Sequence, residues 1–175
     1  VDQDDVYVEV DSISNFITAA SGGNFENLGF DNTPVSTDIV DDQDPVTVDL
    51  QATASVVEGT VNGITYTASL TGGTANNDIT VTLANGEQIT ILAGQTSGNV
   101  SINAPSDDIY IDASTINNSI STAVEANAGT PGALEKLQLA GDTSVSTNVT
   151  DDMDPVTVDL GATASVVEGT VNRSE

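Results

Sequence analysis

A segment of 28 residues occurs twice in this chain, and this duplication constrains the fold more than any other feature. Residues 35–62 and 145–172 are identical at 23 of 28 positions and begin 110 residues apart. Such close identity within one chain is typical of tandem repeats, and the spacing matches the size of one small domain. We therefore expect an array of similar domains, of which this chain of 175 residues covers a part.

A second, weaker match sets the boundaries of the repeats. The sequence from Asp4, DDVYVEVDSISN, resembles the sequence from Asp107, DDIYIDASTINN. We interpret residues 1–44 as the C-terminal part of an upstream repeat, 45–154 as a complete domain and 155–175 as the start of the next repeat. The segment Pro155–Asn172 would then end after its first strand.

Short runs of Val, Ile and Thr that alternate with polar residues indicate β-strands along the whole repeat. Turn sequences such as Asn85-Gly86 and Gly72-Gly73 separate these runs. The pattern predicts an all-β fold, an immunoglobulin-like β-sandwich of about seven antiparallel strands with Greek-key connections. The expected strands are Val46–Val57, Ile64–Leu70, Ile79–Leu83, Gln88–Leu92, Gly98–Asn103, Ile109–Val124 and Leu134–Val149. The expected core includes Ile64, Tyr66, Ala68, Leu70, Ile109 and Ile111.

If the strands alternate in direction, the loops divide between two ends of the domain. The downstream end, next to the following repeat, then holds Glu58, Asn85-Gly86, Asp107-Asp108 and Asp151–Asp154. The upstream end holds residues 72–78, 94–97, 126–132 and the linker 41–44.

The composition excludes several classes of function. The formal net charge is −25, with 27 acidic residues against Lys136 and Arg173, and such a chain repels nucleic acid and anionic membranes. Because the chain has no Cys and no His, it has no thiol nucleophile, no histidine-dependent triad and no Cys or His ligands for zinc. A glycosidase pair at Asp107-Asp108 requires a buried acid, whereas this turn is expected to be exposed. We therefore predict no enzyme.

Acidic side chains gather at both linkers, where they are candidate ligands for calcium. A calcium ion takes six to eight oxygen ligands at about 2.3–2.6 Å, and closely spaced Asp residues supply them. The candidate ligands downstream are Glu58, Asp107, Asp108, Asp151, Asp152 and Asp154, and those upstream are Asp4, Asp5, Asp41, Asp42 and Asp44. The alternative is that these carboxylates accept local backbone hydrogen bonds and keep the protein soluble. Their recurrence at the same place in two repeats favours a cation, because clustered carboxylates otherwise repel one another.

Several phrases of the sequence resemble the extender repeats of very large bacterial surface adhesins of the repeats-in-toxin class. The similarity is strongest in VEG…ITYTASLT, LANGEQITI, AGQTSGNV and GGNFENL, and it extends over essentially the whole chain. The later copy departs from the pattern, because EANAGTPGALEKLQL stands where the earlier copy has GGNFENL.

The resemblance implies immunoglobulin-like domains that are exported by type I secretion to the bacterial cell surface, with calcium at the interdomain linkers. The expected partners are neighbouring repeats joined by calcium, and other chains that pair head to tail with the partial repeats. An alternative is a calcium-dependent module that binds carbohydrate or another surface. Such a module needs exposed aromatic side chains at a loop end, whereas Tyr7, Tyr66 and Tyr110 lie in strand patterns.

Overall fold

The computed structural model describes residues 5–169, and within this range it contains twelve strands and no helix. The strands are β1 Asp11–Asn15, β2 Val35–Ile39, β3 Pro45–Ala52, β4 Ser55–Val57, β5 Ile64–Thr71, β6 Ile79–Leu83, β7 Gln88–Ile91, β8 Ser97–Ile102, β9 Ser114–Asn118, β10 Ile120–Glu125, β11 Lys136–Leu139 and β12 Val145–Thr150. The described residues hold no helix of the length and hydrophobicity that crossing a bilayer requires. The predicted all-β class is confirmed.

Strands β3 to β12 form three sheets around one hydrophobic core. The strand order is β11-β3-β5-β8 in the first sheet, β10-β6-β7 in the second and β4-β12-β9 in the third. Side chains alternate along the central strands, so that every second residue of β5 and β6 is buried. This alternation confirms the predicted core positions Ile64, Tyr66, Ala68 and Leu70. The arrangement is a β-sandwich, in which each sheet buries one face.

Three expected strands are broken, namely Val46–Val57, Ile109–Val124 and Leu134–Val149, and each break moves the chain from one sheet to another. The run Val46–Val57 divides into β3 and β4 at Thr53-Ala54, which moves the chain from the first sheet to the third. Because the chain changes sheets here, β11 pairs with β3 and β12 pairs with β4, both in parallel. The prediction that all strands are antiparallel is therefore wrong. Thr147 is fully buried at the break, where its hydroxyl donates to the carbonyl oxygen of Thr53 at 2.6 Å.

The run Ile109–Val124 also forms less strand than expected. Its first regular strand, β9, begins only at Ser114, and a second strand, β10, follows in another sheet. Ile109 and Ile111 are 57% and 96% exposed, so their assignment to the core is wrong. Both residues precede β9, and they lie at the downstream end of the β-sandwich.

The small sheet of β1 and β2 repeats the pairing of β9 and β12. In the first pair Asp11 lies opposite Ile39 and Asn15 opposite Val35. The equivalent residues of the second pair, Ser114 with Val149 and Asn118 with Val145, have the same register. The sequence duplication therefore extends to the pairing of these strands. β12 also pairs with β4, whereas the sheet of β1 and β2 has two strands within the described residues.

The expected first strand of the third copy is not formed. Residues 155–162 differ from β3 only at Gly161, which replaces Gln51, yet they contain no strand. In the complete copy, β3 is held between β5 and β11. Residues 155–162 pair with no strand among residues 5–169, and a strand forms only where it has a partner.

Candidate metal centre

Glu58 lies in the turn after β4, and backbone hydrogen bonds fix this turn to two neighbouring segments. The Glu58 N–H donates to the carbonyl oxygen of Thr150 at 3.0 Å, and the Gly59 N–H donates to that of Pro105 at 2.7 Å. Gly59 has a φ of +69°, and a Cβ there would lie 2.8 Å from the Cβ of Asp107. Glycine at this position thus allows the turn to approach Asp107 closely.

Five carboxylates meet at this downstream end of the domain, and we call them the acidic cluster: Glu58, Asp107, Asp112, Asp151 and Asp152. They form two groups, Glu58 with Asp107 and Asp152, and Glu58 with Asp112 and Asp151. In each group, one oxygen from every residue lies within 4.8 Å of the others. Oxygens bound to one calcium ion are at most about 5 Å apart, since each lies about 2.3–2.6 Å from the metal. The spacing therefore suits a shared cation.

Glu58 is the central and most buried member of the acidic cluster. It is 7% exposed, and its Oε1 accepts a hydrogen bond from the Asp152 N–H at 3.4 Å. Burial, the contact with the Asp151 carboxyl and the charge of Asp112 together raise the pKa of Glu58 to about 7, while the hydrogen bond from the Asp152 N–H acts in the opposite direction. Burial likewise raises the pKa of Asp107, with the charge of Asp152 as the second cause. Both shifts reflect burial first and the neighbouring carboxyl groups second.

The structure brings together four of the six residues predicted at the downstream linker. Glu58, Asp107, Asp151 and Asp152 belong to the acidic cluster, whereas Asp108 and Asp154 belong to neither group of the cluster. Asp108 instead stabilises a turn, because its Oδ1 accepts a hydrogen bond from the Tyr110 N–H at 2.7 Å. For Asp108, this contact agrees with the alternative interpretation, in which the carboxylate accepts a hydrogen bond from a nearby backbone N–H.

Asp112 is a member of the cluster that the sequence prediction missed. Its backbone N–H donates to Asp151 Oδ1 at 3.3 Å. A signal was present in the repeat, because the equivalent position of the earlier copy is Glu9, which is also acidic. The Glu9 N–H donates to Asp41 Oδ2 at 3.2 Å, so the same contact occurs at both linkers.

The upstream linker shows only part of this arrangement. Asp4 lies outside the described residues, and residues 5–169 contain no group of three close carboxylates that includes Asp5, Asp41, Asp42 or Asp44. Asp5 accepts a hydrogen bond from the Tyr7 N–H at 2.7 Å, as Asp108 does from Tyr110. No residue between Val1 and Asp41 is equivalent to Glu58, the central ligand candidate.

Glu135 is the second residue that the prediction missed, and it faces the upstream linker from the complete domain. Burial raises its pKa, the Asp44 N–H that donates to its Oε2 at 2.5 Å lowers it, and the charges of Asp41 and Asp44 raise it. Its Oε1 is buried and has no hydrogen-bond partner within the described part of the chain. No sequence signal identified Glu135, because it lies in the segment where the two copies differ.

Comparison with known protein families identifies the family of this chain. No curated protein matches it closely enough to count as a relative. A family model described as the LapA domain matches residues 1–42 and 44–152, which is most of the chain. LapA is a large biofilm adhesin of the cell surface, and its domain family is not enzymatic. Given this match and the repeated all-β architecture, the chain belongs to the LapA domain family of biofilm adhesins.

Proposed function

We propose that this chain is a structural extender of a bacterial surface adhesin of the repeats-in-toxin class, exported by type I secretion. In this proposal, calcium bound at the linkers between repeats stiffens the array, which holds an adhesive domain away from the cell. The main support is the acidic cluster, in which buried Glu58 shares two groups of close carboxylates with the linker residues Asp151 and Asp152.

The charge of the acidic cluster favours a divalent cation. Burial and mutual repulsion raise the pKa of both Glu58 and Asp107, which means that these carboxylates are costly when all are ionised. Lys136, the cationic side chain in the described part of the chain, is paired in register with Pro45, at the start of β3 and at the upstream end. Hard carboxylate oxygens prefer calcium or magnesium, and the flexible coordination of calcium suits an irregular set of carboxylates better.

The two linkers show the two sides of a junction between repeats: the downstream linker contacts the domain before it, and the upstream linker contacts the domain after it. The downstream linker is contacted by carboxylates from the preceding domain, Glu58 and Asp107 among them. The upstream linker is contacted by Glu135, which follows it in the chain and leaves one buried oxygen without a donor. A cation held at such a linker would therefore contact both neighbouring repeats and restrict the angle between them. Folding would accordingly be linked to the calcium concentration outside the cell.

Calcium titration of the whole chain tests this proposal. We expect that calcium at a hundredfold excess over its Kd stabilises the protein by about 2.7 kcal/mol, seen as a higher melting temperature than in chelator. Glu58→Gln should weaken calcium binding by about tenfold or more, because it removes the carboxylate common to both groups.

The matched control is Asp38→Asn. It changes the charge by the same amount on an exposed strand position, and Asn148 is its natural counterpart in the later copy. We expect D38N to bind calcium as the parent chain does. A melting temperature that is the same in calcium and in chelator would remove calcium from the proposed mechanism.

One observation favours the alternative function, a module that binds carbohydrate with the help of calcium. Tyr110 is 71% exposed and lies outside any strand, close to Asp108, Asp151 and Asp152. The expectation that Tyr110 lies within a strand is therefore wrong. Glycan-array binding that requires calcium and is lost in Tyr110→Ser would support this second function.

A further inference from the structure

Residues Val6–Val8, which we call the docking segment, bind along the edge of the complete domain. The Val8 N–H donates to the carbonyl oxygen of Ala133 at 2.7 Å, and the Glu135 N–H donates to that of Val6 at 2.9 Å. The Gly132 N–H donates to the Val8 carbonyl oxygen at 2.9 Å, so that Tyr7 forms an antiparallel bridge with Leu134. The docking segment thus adds a short strand to residues 132–135.

Side chains of the docking segment fit the surface beneath it. The Tyr7 hydroxyl donates to the carbonyl oxygen of Thr74 at 2.7 Å, and Val6 and Tyr7 pack against the hydrophobic core of the domain. A Cβ at Gly73 would lie 2.9 Å from Val6 Cγ2, so glycine at this position leaves room for the valine. Backbone bonds, an aromatic anchor and a close glycine contact together define a specific interface.

The same segment occurs again as Ile109–Ile111, which we call the second docking segment, and here it is exposed. DDVYVE at residues 4–9 becomes DDIYID at residues 107–112, so all three apolar positions are retained. The turn before it is also the same, because Asp108 accepts from Tyr110 as Asp5 accepts from Tyr7, both at 2.7 Å. Ile109, Tyr110 and Ile111 are 57%, 71% and 96% exposed.

We propose that the second docking segment binds the following repeat, as Val6–Val8 binds this one. The occupant is the next copy, through its equivalents of Gly132–Glu135 and of the Thr74 carbonyl. The linker Asp151–Asp154 leads directly into Pro155–Ala162, which reproduces β3 at every position but one, so the next copy begins as this domain does. Successive repeats are therefore joined by a strand addition, with Tyr110 as the anchor.

This interface uses other contacts than the proposed calcium site, although residues 109–111 lie between Asp107 and Asp112 of the acidic cluster. It consists of backbone hydrogen bonds and apolar contacts, and it rests on the internal repeat and on the observed docking of Val6–Val8. The docking segments provide contact between repeats that does not need a metal. The test is accordingly carried out in excess chelator, so that its result is independent of calcium binding.

The experiment compares the 175-residue chain with a longer chain in which residues 63–154 are repeated after Asn172, which completes a second domain. Only residues 1–154 carry an isotope label, so that amide hydrogen exchange is read from the first copy. We expect the Ile111 amide to exchange about tenfold more slowly in the longer chain, because it gains the partner that Val8 has in Ala133. Equal exchange of Ile111 in the two chains would overturn the proposal.

Two variants of the longer chain test the anchor. Tyr110→Ser should remove most of the protection of Ile111. Met153→Gln should keep it, because Met153 is 94% exposed nearby and Gln43 occupies its place in the earlier copy. Protection that survives Y110S, or that is lost in M153Q, would contradict docking through the tyrosine.

Discussion

At the scale of single residues, Glu58 is the central member of the acidic cluster, because it belongs to both groups of close carboxylates. A glutamate that is 7% exposed among four aspartates destabilises the metal-free fold, because its ionised form is poorly solvated and repelled. A bound cation would reverse the effect, since it favours the ionised form.

The first prediction concerns the pH dependence of the metal-free protein. The pKa of Glu58 is about 7 in the folded state, whereas the ordinary value of 4.5 applies to the unfolded state. Between these two pH values the folded state therefore binds more protons than the unfolded state. Stability in chelator should therefore fall as the pH rises from about 4.5 to about 7 and then level off.

Glu58→Gln should reduce this pH dependence and raise the melting temperature in chelator at pH 8, while it weakens calcium binding. Thermal melting at several pH values in chelator is the measurement, and Asp38→Asn again controls for the loss of one charge. If E58Q lowers the melting temperature in chelator at pH 8, Glu58 does not carry the proposed repulsion.

At the scale of elements, the close approach of β7 and β8 depends on one glycine. Gly98 in β8 lies opposite Ala68 of β5, and a Cβ built on it would overlap the carbonyl oxygen of Thr90 in β7. The neighbouring atom is backbone, which cannot rotate away. The two sheets can therefore approach here only because residue 98 has no side chain.

We predict that Gly98→Ala destabilises the protein by about 2 kcal/mol, because β7 must move away from β8. Denaturant unfolding in chelator measures this change. Gly141→Ala is the matched control, since nothing lies within 4 Å of a Cβ at that position, and we expect it to change the stability by less than about 0.5 kcal/mol. Equal stabilities of the two variants would show that the sheets tolerate the added methyl group.

At the scale of the whole molecule, a net charge of −25 opposes contact between repeats. The charge is concentrated at the linkers, where the acidic cluster and the Asp41–Asp44 segment lie next to interdomain contacts. Ions bound there would neutralise the repulsion at the places where neighbouring repeats meet. The docking segments supply complementary contacts that do not depend on charge.

We predict that calcium extends and stiffens a chain of several repeats. Small-angle scattering should show a larger maximum dimension in calcium than in chelator, because neighbouring domains no longer change their relative angle. The same chain with Glu58→Gln in every repeat should show a smaller difference. Identical scattering curves in calcium and in chelator would contradict the stiffening mechanism, whether or not calcium binds.

The class of the fold and the position of the candidate site could be predicted from the amino-acid sequence. Alternation of apolar and polar residues predicted the buried positions of β5, and the duplicated linker placed Asp151 and Asp152 at a junction. Both inferences depend on local periodicity or on direct repetition, which a sequence displays.

Which distant residues meet, and which strands form, depends on packing and became visible in the three-dimensional fold. Asp112 and Glu135 were missed because their contacts depend on how the turns and edges are packed. Ile111 and Val8 have nearly the same sequence neighbours, yet Ile111 is exposed and Val8 is hydrogen-bonded, because only Val8 has a following domain in this chain. Residues 155–162 repeat β3 without forming a strand for the same reason, since a strand requires a partner that lies elsewhere in the chain.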